Sequence, residues 1–205
     1  MAPSTMIPST MIPSTKTVGA ETRKAPRRRV GTLVGALALA ASALVAGPGL
    51  SGTAQAATPV LSDGFEFPST AWSFTTSGPG FGFVDNVAAE AHTGSKSALL
   101  GMFGTGFASV GRNVNLPSTA TTCTASAWIA PRLPATKKIN FEVIDPSNFQ
   151  YIALKQIQTS GAGSYQFHTV SWTKNRNNVL LRFSLIGEAG QTNRARVDDV
   201  AVTCN

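Results

Sequence analysis

The chain has 205 residues, 42% hydrophobic and 13% charged, with 17 Lys and Arg against 10 Asp and Glu for a formal net charge of +7. Six of the basic residues and a single acid, Glu21, fall within residues 1–56, so the remainder carries 11 basic and 9 acidic side chains, a net charge of +2. A nucleic-acid partner is therefore not expected: past residue 56 no basic run exceeds Lys137-Lys138, too little to track a phosphate backbone.

Residues 1–56 read as a leader. Lys24, Arg27, Arg28 and Arg29 form a basic region, Val30 to Ala46 an apolar run, and Ala54-Gln55-Ala56 an A-x-A cleavage signal after Gly47-Pro48-Gly49. The apolar run is rich in Gly and Ala and short of the ~20 residues a membrane span needs. A cleaved signal peptide and a secreted, extracellular product are expected, with no stable membrane insertion after processing. Arg28-Arg29 also suits a twin-arginine route. Upstream, Pro-Ser-Thr-Met-Ile recurs from Pro3, Pro8 and Pro13; translation from Met6 or Met11 instead of Met1 would make that repeat incidental.

Residues 57–205 number 149, the usual size of one domain, enough to bury roughly two-thirds of the unfolded surface. All 16 aromatic residues lie here. Cys123 and Cys204 are the only cysteines, and in an exported chain a disulfide between them is expected. It would pin the C-terminus to a central strand and add roughly 4 kcal/mol in the chain-entropy model. A thiolate metal site or a catalytic Cys would need partners that two His residues do not supply at usable spacing.

Helical periodicity is absent, and strand signals follow one another instead. Ala98 to Phe103 is an apolar run after a turn. Cys123, Ala125, Ala127 and Ile129 alternate with Thr124, Ser126 and Trp128; Ile139, Phe141 and Val143 alternate with Asn140 and Glu142. Tyr151 to Ile157, Tyr165 to Trp172 and Val179 to Ile186 are β-rich, and Val200 to Cys204 closes the chain. Ser77 to Gly80, Asp145 to Asn148, Ser160 to Ser164 and Lys174 to Asn178 read as turns. The expected fold is all-β, a single antiparallel β-sandwich of jelly-roll or immunoglobulin-like type.

Three stretches stand out: Asp63-Gly64-Phe65-Glu66, the His92 to Leu100 turn with its Gly94-Ser95-Lys96, and Val197-Asp198-Asp199-Val200. With Trp72 after the first and Ser126-Ala127-Trp128-Ile129 between the others, their order resembles the galactose-binding-like jelly rolls that include the CenC-type carbohydrate-binding modules of secreted bacterial glycosidases. The resemblance covers residues 58–205. It implies a jelly roll that binds polysaccharide or another glycan without catalysis, and a structural Ca²⁺ where the first and last strands meet. Carried over by position, Glu66 and Asp198 would give side chains to the ion, the carbonyls around Ser95 and Lys96 would complete it, and Asp63 is a further ligand candidate. Period-two alternation favours Asp198 over Asp199. The competing reading leaves Asp198 and Asp199 on a solvated edge and pairs Glu66 with an Arg.

Sugar binding needs an aromatic face for pyranose C–H groups and polar groups for hydroxyls. Trp128, out of phase with the core positions of its strand, is the first candidate, against the alternative that it packs under a loop. Tyr151, in phase with Lys155, is the second; Gln166, Arg182 and Glu142 are expected to add hydrogen bonds from the same face. Trp72 and Trp172 are expected in the core. Glycoside hydrolysis requires two carboxylates facing across a cleft, and nothing pairs with Glu142, so an enzyme is not expected. The rival reading is a secreted structural or adhesion domain that meets another protein or the cell surface.

Overall fold

The structure, a computed structural model, describes residues 57–67, 71–133 and 137–205; the expected leader lies outside the described residues. In chain order the strands are β1 (Thr58–Asp63), β2 (Ser73–Ser77), β3 (Gly80–Asp85), β4 (Ser97–Phe103), β5 (Gly106–Asn115) and β6 (Thr122–Pro131). Then follow β7 (Lys137–Ile144), β8 (Tyr151–Thr159), β9 (Gln166–Thr173), β10 (Asn178–Gly187) and β11 (Thr192–Cys204). A single 3-10 turn, Ala88–Glu90, lies between β3 and β4. Among the described residues no helix is long and apolar enough to cross a membrane.

The strands form two antiparallel sheets, an all-β sandwich. In the first, β11 is the spine. β6 runs along one side of it; on the other, β4 pairs with residues 192–197 and β1 with residues 200–204. β3 extends this sheet beyond β4 and β9 beyond β6. The second sheet has the order β2-β5-β10-β7-β8. Cys123 and Cys204 are direct partners across the β6–β11 ladder and are joined by a disulfide.

The core lies between the sheets, and strand alternation builds it. Val179, Leu181, Phe183 and Leu185 of β10 and Ala125, Ala127 and Ile129 of β6 all enter this core, and Phe141 packs on Phe183 with ring centroids 4.5 Å apart. Each of the larger of these side chains contributes roughly 1.5–3 kcal/mol relative to exposure. Trp72 and Trp172 belong to this core. Phe65 joins it by an unusual route: its φ of 62° turns the ring inward against Trp72, 5.0 Å away. Asp63 holds that geometry by accepting hydrogen bonds from the Phe65 amide (2.8 Å) and Trp72 Nε1 (3.0 Å), and it pairs with Arg112 at 2.6 Å. Asp63 is thus fully engaged as a turn and core-edge residue.

Candidate functional site

Head and tail of the folded region meet at the turn before β4. Glu66 Oε1 accepts hydrogen bonds from the Ser95 and Lys96 amides at 2.7 and 2.8 Å, and Oε2 accepts from the Ser95 hydroxyl. Those donors hold the Glu66 carboxyl below its ordinary pKa. From the other end of the chain, Asp198 Oδ2 accepts the His92 amide at 2.7 Å, while Asp199 takes His92 Nδ1 at 2.6 Å and the Thr93 hydroxyl at 2.7 Å. Two of the carboxylates and the Glu66 side-chain stem crowd Gly64: a Cβ there would lie 3.1 Å from Asp199 Oδ1, 3.8 Å from Asp198 Oδ1 and 3.9 Å from Glu66 Cγ.

Two expectations change here. Alternation does not separate Asp198 from Asp199, because the β6–β11 register shifts between Asp198 and Ala201 and Asp199 has a φ of 45°. Both carboxylates therefore reach the same turn. Ser95 and Lys96 present amides, not carbonyls, to Glu66, and the Lys96 ammonium donates to the Glu66 carbonyl at 2.7 Å. Calcium binds oxygens; in this arrangement N–H and O–H donors engage the carboxylates. Among the described residues no group of three or more His, Cys, Asp or Glu is disposed to hold a metal ion. As arranged, the junction does not fit Ca²⁺.

The five residues expected to share one sugar-binding face are divided between the sheets. Glu142, Arg182 and Tyr151 lie together on the outer face of the five-stranded sheet; Trp128 and Gln166 belong to the six-stranded one. Gln166 pairs with the core residue Ile129, so it falls on the inward side of β9, opposite Trp128's side. The Trp128 ring is half-buried under the β3–β4 connection, with the imidazole of His92 stacked on it at 4.0 Å and Phe167 tilted against it at 5.3 Å. The Tyr151–Lys155 phase also fails, because the β7–β8 register shifts beside Ile144; Lys155 instead stands close enough to His168 to help burial lower that imidazole's pKa.

What the five-stranded sheet does assemble is a polar hollow. Buried Glu142 accepts hydrogen bonds from Arg182 Nε and from the Ser184 hydroxyl, the latter at 3.1 Å. This fixes the guanidinium between two adjoining depressions of about 140 and 320 Å³. Tyr151, 53% exposed, borders the first, and Phe149, 66% exposed, borders the second. Asn140, beside Glu142 in the first depression, keeps a buried Oδ1 with no hydrogen-bond partner. Asn140 was legible from the alternation of Ile139, Phe141 and Val143. Phe149 was hidden, because its position follows from a turn in which its own φ is 57° and its amide bonds the Asp145 carbonyl.

No family model matches this chain, and no curated protein matches it. Solved structures do. The K1 cleaved adhesin domain of Lys-gingipain from Porphyromonas gingivalis W83 superposes with a TM-score of 0.53 at 16% identity, over 71% of this chain and 98% of that one. The CBM22-1 xylan-binding domain from Paenibacillus barcinonensis Xyn10C gives 0.50 at 16% identity, over 74% and 97%. The CBM22-1–GH10 modules of Clostridium thermocellum xylanase 10B, complexed with xylohexaose, give 0.50 at 15% identity, over 72% of this chain and 28% of that one. What is shared at these identities is the fold, a β-sandwich found in carbohydrate-binding modules and in an adhesin domain alike.

Proposed function

We propose that this protein is a secreted, non-catalytic carbohydrate-binding domain of the CenC-like kind, and that its ligand lies on the outer face of the five-stranded sheet, across Tyr151, Asn140 and Arg182. The observation that carries the reading is an arginine clamped by Glu142 between two depressions, with an exposed tyrosine at the rim and Asn140 in the lining. The guanidinium donates to ring or hydroxyl oxygens, and the tyrosine ring covers a C–H face. Glu142 positions Arg182 and is itself too buried to meet the ligand broadly. The xylan and xylohexaose of two fold neighbours make β-linked polysaccharides the first substrates to try.

The test is retention on a panel of insoluble neutral polysaccharides, followed by calorimetry with xylohexaose and the oligosaccharides of any that retain the protein. Tyr151→Ala is expected to weaken binding about tenfold or more, and Trp128→Phe to leave it unchanged. Absence of retention on every polysaccharide, or binding indifferent to Tyr151 and Arg182, overturns the reading. The adhesion alternative shares the fold with the gingipain domain, and no residue described above argues for it separately. The structural Ca²⁺ implied by the resemblance is kept apart from this mechanism. It would have to displace the Lys96 ammonium and the Ser95 and Lys96 amides from Glu66.

A further inference from the structure

The opposite face of the sandwich carries a second groove that the proposed sugar face does not explain. It lies on the six-stranded sheet over β4 and β11, has a volume of about 490 Å³, and is lined by Leu99, Arg132, Arg194, Arg196 and Glu90, with Ala162 of the β8–β9 turn overhanging it. That turn is held in place by the Gly163 amide, which donates to the Pro131 carbonyl at 3.0 Å.

The charges in the groove do not balance. Arg196, almost fully buried, pairs with Asp85 and donates to the Ser97 hydroxyl. Glu90 sits between Arg132 Nε at 3.1 Å and Arg196 Nε at 3.3 Å. Neither of those buried Nε–H groups makes a hydrogen bond of acceptable geometry, so two donors remain unsatisfied against one carboxylate. Arg194 is exposed and, among the described residues, has no carboxylate partner; its guanidinium lies 5.6 Å from the centroid of the Phe81 ring. Three arginines against Glu90 and Asp85 leave one positive charge over.

An aromatic surface adjoins that charge. Phe81, Gly101 and Arg194 are successive neighbours across β3, β4 and β11. Gly101 has no side chain, and a Cβ there would come within 2.3 Å of the Phe81 ring, so the ring lies flat across the strand toward Arg194. Phe83 and Phe103 extend the surface, each nearly half exposed, with centroids 5.6 and 5.7 Å from that of Phe81.

We infer that this groove is a second ligand site, specific for a carboxylate-bearing saccharide such as a uronic-acid oligomer. A planar guanidinium fork matches a carboxylate bidentately, and the surplus of one positive charge matches one carboxylate on the sugar ring that occupies the groove. Glu90 accepts hydroxyls and disfavours a dense polyanion such as a phosphorylated ligand. The Phe81 ring takes the C–H face. This site stands on a different sheet from the Tyr151 face and does not depend on it.

The experiment is a chemical-shift titration of the isotope-labelled domain with trigalacturonate, its methyl ester and xylohexaose. Trigalacturonate is expected to shift the amides of Gly101, Arg194 and Ala162 and to weaken with added salt, while the ester, which lacks the charge, binds about tenfold more weakly there. Arg194→Gln should cut trigalacturonate affinity about tenfold without changing the melting temperature or any binding at the Tyr151 face, and Arg194→Lys should not restore it. Phe81→Leu provides a second variant that keeps the apolar volume and removes the ring. Acid-trimer shifts confined to the Tyr151 face, equal binding of acid and ester, no binding at millimolar concentration, or burial of this surface in a dimer by sedimentation each overturns the inference. Loss of neutral-sugar binding alone would sink only the Tyr151 proposal.

Discussion

His92 lies flat on Trp128, with ring centroids 4.0 Å apart and planes 17° from parallel. The histidine is held there from both ends: its amide by Asp198 and its Nδ1 by Asp199. The turn that joins head to tail therefore also roofs the tryptophan that would otherwise be the obvious sugar platform.

Removing that roof is a direct test. Trp72 and Trp172 are buried in the core, so a change in tryptophan emission reports on Trp128. His92→Ala is expected to move the emission maximum to longer wavelength and to lower stability by about 1–2 kcal/mol, the sum of a lost ring pair and a lost charge-assisted hydrogen bond. Urea unfolding followed by fluorescence reads both; an unchanged spectrum and midpoint would contradict the stacking.

Much of the sandwich was legible because its strands advertise themselves by alternation: β6, β7 and β10 carry apolar residues at every second position, and Asn178–Gly187 differs from the expected Val179 to Ile186 by one residue at each end. β5 was missed because Gly106, Gly111, Arg112 and Asn113 interrupt its Ala108, Val110 and Val114. The first half of β11 was missed because Arg194 and Arg196 look like a loop until their partners on β3 and the β3–β4 connection are known. The five proposed ligand residues failed as a set for a different reason. Alternation assigns a side chain to one face of its own strand, whereas which sheet that strand joins is fixed by long-range pairing that no local pattern records. The bulge at Asp199 was equally invisible, since nothing in Val197 to Val200 marks the positive φ that defeats alternation.

Gly94 can be separated into strain and collision. Its φ is +66°, and a Cβ there would come within 2.3 Å of Glu66 Oε1; Gly190 has a similar φ of +72° with nothing within 4 Å. Gly190→Ala should therefore cost about 1 kcal/mol for conformation alone, and Gly94→Ala should cost clearly more, on the order of 2–4 kcal/mol, because the Glu66 dock is also broken. Denaturant midpoints of the two variants decide; equal losses would mean that Glu66 does not clamp this turn.

The disulfide should be worth more than its local contacts. Cys123 and Cys204 are separated by 81 residues in sequence and join the last residue of β11 to the start of β6, beside β1. Replacing both with Ala is expected to cost about 2–5 kcal/mol and to speed amide exchange in β1, which among the described residues pairs with β11 alone. Measured stability within 1 kcal/mol of the parent would show that β1 and β11 hold the terminus without the covalent link.

The acid dependence of the junction has a definite sign. Burial pushes the Asp198 carboxyl up to about 6 from 3.8, with the neighbouring Asp199 charge adding to it and the His92, Thr93 and Asp199 amides opposing it. An acid whose folded pKa is raised is held protonated by the folded state after the unfolded chain has lost the proton. Its contribution is full below about pH 3.8 and is lost as the pH rises through 6, a span on the order of 2–3 kcal/mol. Glu66 and Asp145 work the other way. Glu66 is lowered by the Ser95 and Lys96 donors; at Asp145 burial raises the pKa, but the Ser147 hydrogen bonds and Arg176 outweigh it. Their contributions are present above the ordinary values of 4.5 and 3.8 and are lost as the pH falls through the lowered values. In the presence of chelator, stability should therefore decline as the pH rises from about 4.5 to 6 and level off above that, and Asp198→Asn should flatten the decline. A bound Ca²⁺ would reverse it by favouring the ionised carboxylate, so melting curves at pH 7 with calcium and with chelator distinguish the two. With the amides and Lys96 arranged as they are around Glu66, the two curves are expected to coincide; a clear rise in melting temperature with calcium would show that the junction rearranges to take the ion.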